Sequence, residues 1–442
     1  MLKKSATKNL RKIVGENNSL FEIEMLDSFA VDGIFPGAVV FPESVEQVSE
    51  IMKAASKERL SVIPYGSGTK SSLGNKPERA DIILSTQKLE RIIEHADTDL
   101  VATTECGITI KKFQSELNNK NQFLALDPPH VNRYATVGGV LATNDSGPQR
   151  LRYGTAREFL IGVTIVKADG SVFKGGSKVV KNVAGYDLPK LYVGSLGTLG
   201  IIVEATFRLY PVPEFSETYV TKFPSLELCH KTVLELLNSD LVINSLEILN
   251  SQLVKEMFIG NDLDGDDGYT LLVCIRNVEK AVKDQITKVK EICSHYDSEG
   301  FILNYKEEVK LWNEVLDFSQ KLAAANRVVC KSSVLVSQIP ILLNQIETLS
   351  KNYNIEIQVA TRAGNGISII AFQGTPDIVT KILQDLRTHI SSINGGLIIQ
   401  EAPLQIKDCF DVWGNMGSGL EIMKRIKSAF DPDNILNPGR YV

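Results

Sequence analysis

The run Pro64-Tyr65-Gly66-Ser67-Gly68-Thr69-Lys70 follows directly on the apolar stretch Leu60-Ser61-Val62-Ile63, so a short buried strand delivers the chain into a turn of nearly bare backbone. About seventy residues on comes a second run, Ala135-Thr136-Val137-Gly138-Gly139-Val140-Leu141-Ala142-Thr143-Asn144-Asp145-Ser146-Gly147, and later a third, Gly194-Ser195-Leu196-Gly197-Thr198-Leu199-Gly200-Ile201-Ile202. Glycine permits positive φ and close approach, so successive N–H groups in such runs can converge on an anion. The first run lacks the GxxxxGK[ST] spacing of a nucleotide triphosphatase loop, and it does not open a helix as GxGxxG does. Any one of these runs is equally a tight turn with no ligand. Three in series point to stretches of backbone closing around one large anionic ligand.

Composition narrows the alternatives. A chain of 442 residues with 43% hydrophobic residues is long enough for two or three domains with ordinary cores. With 48 Lys+Arg against 53 Asp+Glu the formal charge is -5, and no long basic stripe appears, which argues against a nucleic-acid partner. Six cysteines, Cys106, Cys229, Cys274, Cys293, Cys330 and Cys409, form no CxxC pair, so a structural zinc site, an iron–sulfur cluster and a redox disulfide are not expected. No run of about 18 apolar residues occurs, and the basic start has no apolar stretch behind it. A soluble, cytoplasmic chain without a membrane span is the expectation, any membrane association being made through a partner.

Up to Pro211-Val212-Pro213 the pattern is a helix over Val45 to Ala55, short strands at Val62-Ile63, Ile82-Ile83-Leu84 and Leu100-Val101-Ala102-Thr103, and a helix over Thr109 to Leu117. Beyond it, strand and amphipathic helix alternate: Tyr219 to Lys222 then Leu226 to Leu237, Tyr269 to Ile275 then Val278 to Cys293. The rhythm returns with Val328 to Leu335, Ile339 to Leu349, Ile355 to Val359, Ile367 to Phe372 and Asp377 to Ser391. It predicts an α+β fold whose later part is a mixed sheet with helices on one face, built from ferredoxin-like split units. The expected division is an N-terminal helical segment 1–34, a first domain 35–214, a ferredoxin-like cap or substrate domain 215–405 and a C-terminal segment 406–442. Leu10, Ile13 and Leu20 leave open whether the first segment docks a partner or covers the first domain.

Taken together, the Pro64 to Lys70 run, Asp127-Pro128-Pro129, Ala135 to Gly147, Gly185-Tyr186-Asp187-Leu188 with Gly194 to Ile202, and the ending Asp431-Pro432-Asp433-Asn434-Ile435-Leu436-Asn437-Pro438-Gly439-Arg440 resemble a known family. It is the FAD-binding oxidoreductases of the vanillyl-alcohol oxidase / p-cresol methylhydroxylase type. Within it the resemblance is to the glycolate oxidase and D-2-hydroxyacid dehydrogenase branch, most of all to glycolate oxidase FAD-binding subunits of the E type. The resemblance implies a two-part FAD-binding domain over 35–214, to which the C-terminal segment returns, and FAD as cofactor. It implies that Gly66, Ser67, Gly68 and Thr69, entered through Pro64, wrap the pyrophosphate, and that Thr136, Gly138, Gly139, Asn144, Ser146 and Gly147 close on the other side. Gly200 and Ile202 would lie beside the cofactor, with Pro128, Tyr186 and Asn437 nearer the isoalloxazine. Tyr186 is equally a core tyrosine, and Asn437-Pro438 equally a helix stop after Phe430.

The isoalloxazine of such enzymes accepts hydride, and the protein supplies orientation and charge. Here the chain departs from the metal-using members. Where they carry His-Ala-Gly-Asp-Gly-Asn-Leu-His it has Arg362-Ala363-Gly364-Asn365-Gly366-Ile367-Ser368-Ile369, and in place of Glu-His-Gly it has Gln400-Glu401-Ala402-Pro403. Arginine offers no lone pair to a metal, so no bound Zn²⁺ or Mn²⁺ is expected. Tyr186, Lys331, Arg362 and Arg440 are the candidate catalytic residues, the three cations for a substrate carboxylate or reduced flavin. Their alternatives are a strand-edge lysine, a surface arginine and a C-terminal salt bridge. His95, His230, His295 and His389 are expected on helix ends or polar faces. His130, near the expected flavin edge, is equally a loop histidine in water, and it and Cys106 are the residues able in principle to carry a covalent flavin. Two functions stay open: a flavoprotein subunit acting on a small 2-hydroxy acid with a second flavoprotein subunit and an iron–sulfur subunit, or a self-sufficient metal-independent dehydrogenase. A non-catalytic assembly role is a third.

Overall fold

The computed structural model describes residues 2–177, 187–257, 268–296 and 298–442. It divides into two compact units, Met1–Ser146 with Gly154–Val212 and Met416–Val442, and Gly147–Tyr153 with Pro213–Asn415. The expected borders at 214/215 and 405/406 thus move to 212/213 and 415/416. Residues 1–34 are no separate piece, because the helix Lys4–Val14 buries Leu10 and Val14 against Val48, Ile51 and Met52 of the helix Val45–Glu58.

The first unit holds two principal sheets. In the four-stranded one, Ala38–Val40, Ile82–Ser85 and Val62–Tyr65 run parallel, with Ser19–Leu20 antiparallel at one edge. Alternation along these strands sends Ala38, Val40, Val62, Ile82 and Leu84 to the helices and Val39, Ile63 and Ile83 to the opposite core, so the sheet is buried on both faces as parallel strands require. Ser44 caps the Val45–Glu58 helix by accepting from the Gln47 N–H at 3.3 Å. The second sheet is antiparallel, in the order Ile92–Ala96, Val101–Glu105, Ile201–Arg208, Leu160–Val166, Val172–Gly176. Near the C-terminus, Leu436 bridges Val62 in parallel, and the Val62 N–H donates to the Ile435 carbonyl at 2.7 Å.

The second unit is built on one eight-stranded sheet with Gly300–Ile302 at one edge and Gly396–Glu401 at the other. The first half, Phe215–Phe223, Ser245–Asn250, Tyr269–Asn277 and Gly300–Ile302, has the spatial order fourth, first, third, second. The second half, Arg327–Ser333, Ile357–Arg362, Ile367–Gln373 and Gly396–Glu401, repeats that order, so each is a ferredoxin-like β-α-β-β-α-β unit. The halves join where Ser245–Asn250 pairs with Ile357–Arg362. The sheet is antiparallel throughout its described pairs, not mixed. Nor are helices confined to one face. Leu226–Asn238, Glu279–Ser294, Ile339–Tyr353 and Pro376–Ser392 pack on one side, while Tyr305–Asp317 buries Leu311, Trp312 and Val315 on Val220, Leu249 and Leu272 of the other. Among the described residues no helix is long and apolar enough to cross a membrane.

Candidate functional site

Val62–Tyr65 delivers the chain to the carboxyl end of the parallel sheet, where open α/β sheets bind ligands. There the first glycine-rich run forms one wall of a cleft lined among others by Pro64, Gly66, Ser67, Gly68, Thr69 and Lys70. The absence of side chains is enforced. A Cβ on Gly66 would lie 2.2 Å from Thr136 Oγ1, and one on Gly68, whose φ is 80°, would lie 1.9 Å from the Tyr65 hydroxyl. Burial raises the Tyr65 phenol above its ordinary pKa, against the hydrogen bond with Ser71.

The second run supplies the facing wall. Thr136 caps the short helix Val137–Thr143 by accepting from the Gly139 N–H at 3.2 Å, and Thr136, Gly139, Val140, Ala142, Thr143 and Asp145 line the cleft. Two contacts tie the walls together: Ser67 Oγ donates to the Tyr134 carbonyl at 2.6 Å, and Lys70 Nζ lies 3.0 Å from Asp145 Oδ2. The third run closes the end. Leu196, in the cleft lining, donates its N–H to the Ala142 carbonyl at 2.8 Å and accepts at 2.7 Å from Asn437 Nδ2. Asn437 Oδ1 is left buried with no hydrogen-bond partner among the described residues. A buried acceptor on a cleft wall is ordinarily satisfied, so this oxygen and the glycine cradle fit a large ligand that carries both an anion and hydrogen-bond donors, as FAD does.

The structure sorts the expected residues. Pro64, Gly66, Ser67, Gly68, Thr69, Thr136, Gly139 and Asn437 come together in the cleft lining. Pro128 is buried, and its neighbour Pro129 lines the cleft instead. Gly138 serves packing: its N–H donates to the Cys106 carbonyl at 2.7 Å, and a Cβ there would lie 3.0 Å from Cys106 Cβ. Gly200 likewise admits Ile165, whose Cγ2 would lie 2.5 Å from an added Cβ, and Ile202 is buried in a strand opposite Ile165. Asn144 ends the short helix with φ 49°, Ser146 is buried and its N–H donates to Asp145 Oδ1 at 3.1 Å, and Gly147 begins the segment grouped with the second unit.

Tyr186 lies outside the described residues. Arg440 lines the cleft, but its guanidinium is committed to Asp32 Oδ2 at 2.5 Å, the Asn75 carbonyl at 2.9 Å and the carbonyls of Ser71 and Leu73. The salt-bridge alternative therefore describes it, and a substrate cation does not. Lys331 and Arg362 belong to the second unit. Lys331 stands opposite Ile369, which stands opposite Ala360, so Lys331 and Arg362 share one sheet face, about 12 Å apart at their Cα atoms. Arg362 is 6% exposed, and among the described residues no hydrogen bond or ion pair engages its guanidinium. Glu247 stands directly opposite it on that face.

His130 is buried with φ 66°, not in water, and His230, also buried, is 2.9 Å from the Val336 carbonyl through Nε2. Cys106 is fully buried, and burial pushes its thiol well above the ordinary range, with Glu204 and Glu105 adding to it, so the nucleophilic thiolate needed for flavin attachment is suppressed. Among the described residues no three His, Cys, Asp or Glu side chains cluster as metal ligands. Lys70 and Asp145 are the charged wall residues that sequence reasoning missed. Lys70 closes the quoted glycine run, and that was its one signal.

A glycine-walled cleft at the carboxyl end of a parallel sheet, in a unit that also holds an antiparallel sheet, is the site of a protein that binds a large anionic cofactor. The chain belongs to the FAD-linked oxidases and is an FAD-dependent oxidoreductase: residues 36–176 match the FAD binding domain, and 212–401 with 405–441 match the FAD linked oxidases C-terminal domain. It is similar to glycolate oxidase subunit GlcD of Bacillus subtilis (strain 168), 27% identical over 92% of this chain and 88% of that one. It is 29% identical to the D-lactate dehydrogenase of Archaeoglobus fulgidus over 91% of each chain, and 29% identical to the probable mitochondrial D-lactate dehydrogenase of Danio rerio over 92% of this chain and 84% of that one. Among solved structures, p-cresol methylhydroxylase with substrate bound superposes with a TM-score of 0.80 at 18% identity, covering 99% of this chain and 96% of that one, which shows the shared fold.

Proposed function

We propose that this chain is the FAD-binding subunit of a glycolate oxidase-like complex, supporting oxidation of a small 2-hydroxy acid, glycolate or D-lactate, and passing electrons to a partner subunit. One observation carries the reading: relatives that match some nine-tenths of the chain are named for glycolate and D-lactate. FAD, when bound, supplies the hydride acceptor. The chain's own residues hold it: the Gly66–Thr69 backbone and the Thr136–Gly139 turn from two sides, Leu196 and Asn437 at the end. Asn144, Ser146, Gly200 and Ile202 support those walls. Lys331 and Arg362 are the residues we assign to the substrate carboxylate, two cations on one face of a rigid sheet. Tyr186 is assigned to the flavin side of the reaction. The partners are a second flavoprotein subunit and an iron–sulfur subunit, with the chain in the cytoplasm and any membrane contact made by a partner. The substitution of Arg362 for a metal-binding histidine supports this division of labour.

Anaerobic mixing of the purified yellow chain with glycolate, D-lactate and longer 2-hydroxy acids tests the proposal. Bleaching of the flavin absorbance is expected to be slow for the isolated chain and to accelerate when the partner subunits are added. Rapid bleaching by the chain alone would make it a self-sufficient dehydrogenase, and a colourless chain that binds no added FAD would remove both readings.

A further inference from the structure

The cleft is lined by two cationic side chains, Lys70 and Arg440, and each already has a carboxylate partner, Asp145 and Asp32. Bound FAD is anionic through its pyrophosphate, so the side-chain charges nearest to it cancel in pairs and the backbone N–H groups of the glycine loops are left to hold it. Such a cradle works only while its loops keep their relative position. Lys70 ends the first loop, and Asp145 follows the short helix that forms the facing wall. Their side chains are only 13% and 10% exposed. A pair this buried loses much of its Coulombic gain to desolvation, so stability alone is a weak reason to keep it, and fixing a register is a better one.

We infer that Lys70 and Asp145 form a latch between the two glycine-rich walls, and that their mutual pairing, not the lysine charge by itself, retains FAD. Ser67, bonded to the Tyr134 carbonyl, is a second tie between the same walls. The pair acts through the loops, so both are positioning residues. The inference rests on the FAD cleft, and it stands whether or not the 2-hydroxy acid reading does.

The test compares Lys70→Met, Asp145→Asn and the exchanged pair Lys70→Asp/Asp145→Lys in the full chain. Apoprotein is titrated with FAD, the quenching of flavin fluorescence giving Kd and the release rate, and circular dichroism confirms folding. Each single variant is expected to raise Kd at least about ten-fold, through faster release, and the exchange to restore most of the loss. Substrate is absent, so the outcome is independent of the proposed reaction. If Asp145→Asn bound FAD more tightly while Lys70→Met bound it less, the lysine would be a simple counter-charge and the latch would be wrong. Retention of Kd within about two-fold in both singles would overturn it as well. Should a single variant not fold, Lys70→Arg, which keeps the pairing charge, is expected to retain FAD, and a folded Lys70→Arg chain that lost it would count against the latch.

Discussion

Gly68 combines a positive φ of 80° with a Cβ position 1.9 Å from the Tyr65 hydroxyl. A side chain there meets both a left-handed backbone penalty of about 1–2 kcal/mol and a half-buried phenol that has to move. Gly68→Leu is expected to fold and to lose its flavin, read as the ratio of absorbance at the flavin band to that of the protein. Full flavin content in a folded variant would show that this loop does not hold the cofactor. Such glycines were legible because the demand on them is local: bare backbone in a run after a strand. Gly138 and Gly200 look the same in sequence, yet they make room for Cys106 and Ile165 and do not line the cleft, because a glycine demanded by packing and one demanded by a loop at a ligand read alike. The charged residues were less legible still. Nothing in the spacing of Lys70 and Asp145, or of Asp32 and Arg440, tells that they meet.

The segment after the helix Gly419–Phe430 closes one end of the cleft with Asn437. Lys427 is buried, and its amine donates to the Thr198 carbonyl at 3.0 Å, to Asp431 Oδ2 at 2.5 Å and to the Leu436 carbonyl at 2.8 Å. Asp431 in turn accepts from the N–H groups of Ile435 at 3.1 Å and Leu436 at 2.7 Å. Burial pushes the Lys427 amine below its ordinary pKa, with Asp431 opposing. This one cation therefore fastens the third glycine run to the segment that carries Asn437. Lys427→Met leaves the Asp431 carboxylate buried without its cation and is expected to cost about 3–5 kcal/mol in urea unfolding, with weaker FAD binding. The double variant Lys427→Met/Asp431→Leu should recover part of the stability, and a single variant as stable as the parent would deny the pair this role. That the ending was no frayed terminus was legible from its Asp, Asn and Pro content. Its run beside Val62 was not, since it consists of one bridge and two flanking hydrogen bonds with no strand pattern of its own.

At the scale of the molecule, each unit has its own core, around Val48, Ile51 and Ile82 in the first and around Val233, Leu271 and Ile370 in the second. The described cleft lining comes entirely from the first. Calorimetry of the apoprotein is expected to show two transitions, and FAD at 100 times its Kd to add about 2.7 kcal/mol to one of them alone. A single transition, shifted as a whole by FAD, would mean that the units unfold as one. The two ferredoxin-like repeats were legible from their strand and helix rhythm. Their joining edge was not, because pairing of Glu247 with Arg362 and of Ile248 with Thr361 is one of several edge choices equally allowed by the alternation.

Val62 receives Ile435 and Leu436 as neighbours, and Pro64 begins the glycine loop two residues later. During synthesis the loop therefore leaves the ribosome long before its last wall exists, and the whole of 213–415 is made in between. The second unit has the residues it needs to fold first, while the first waits with an exposed sheet edge. Cofactor capture is thus expected late in the birth of this protein, once Asn437 and its neighbours have been made.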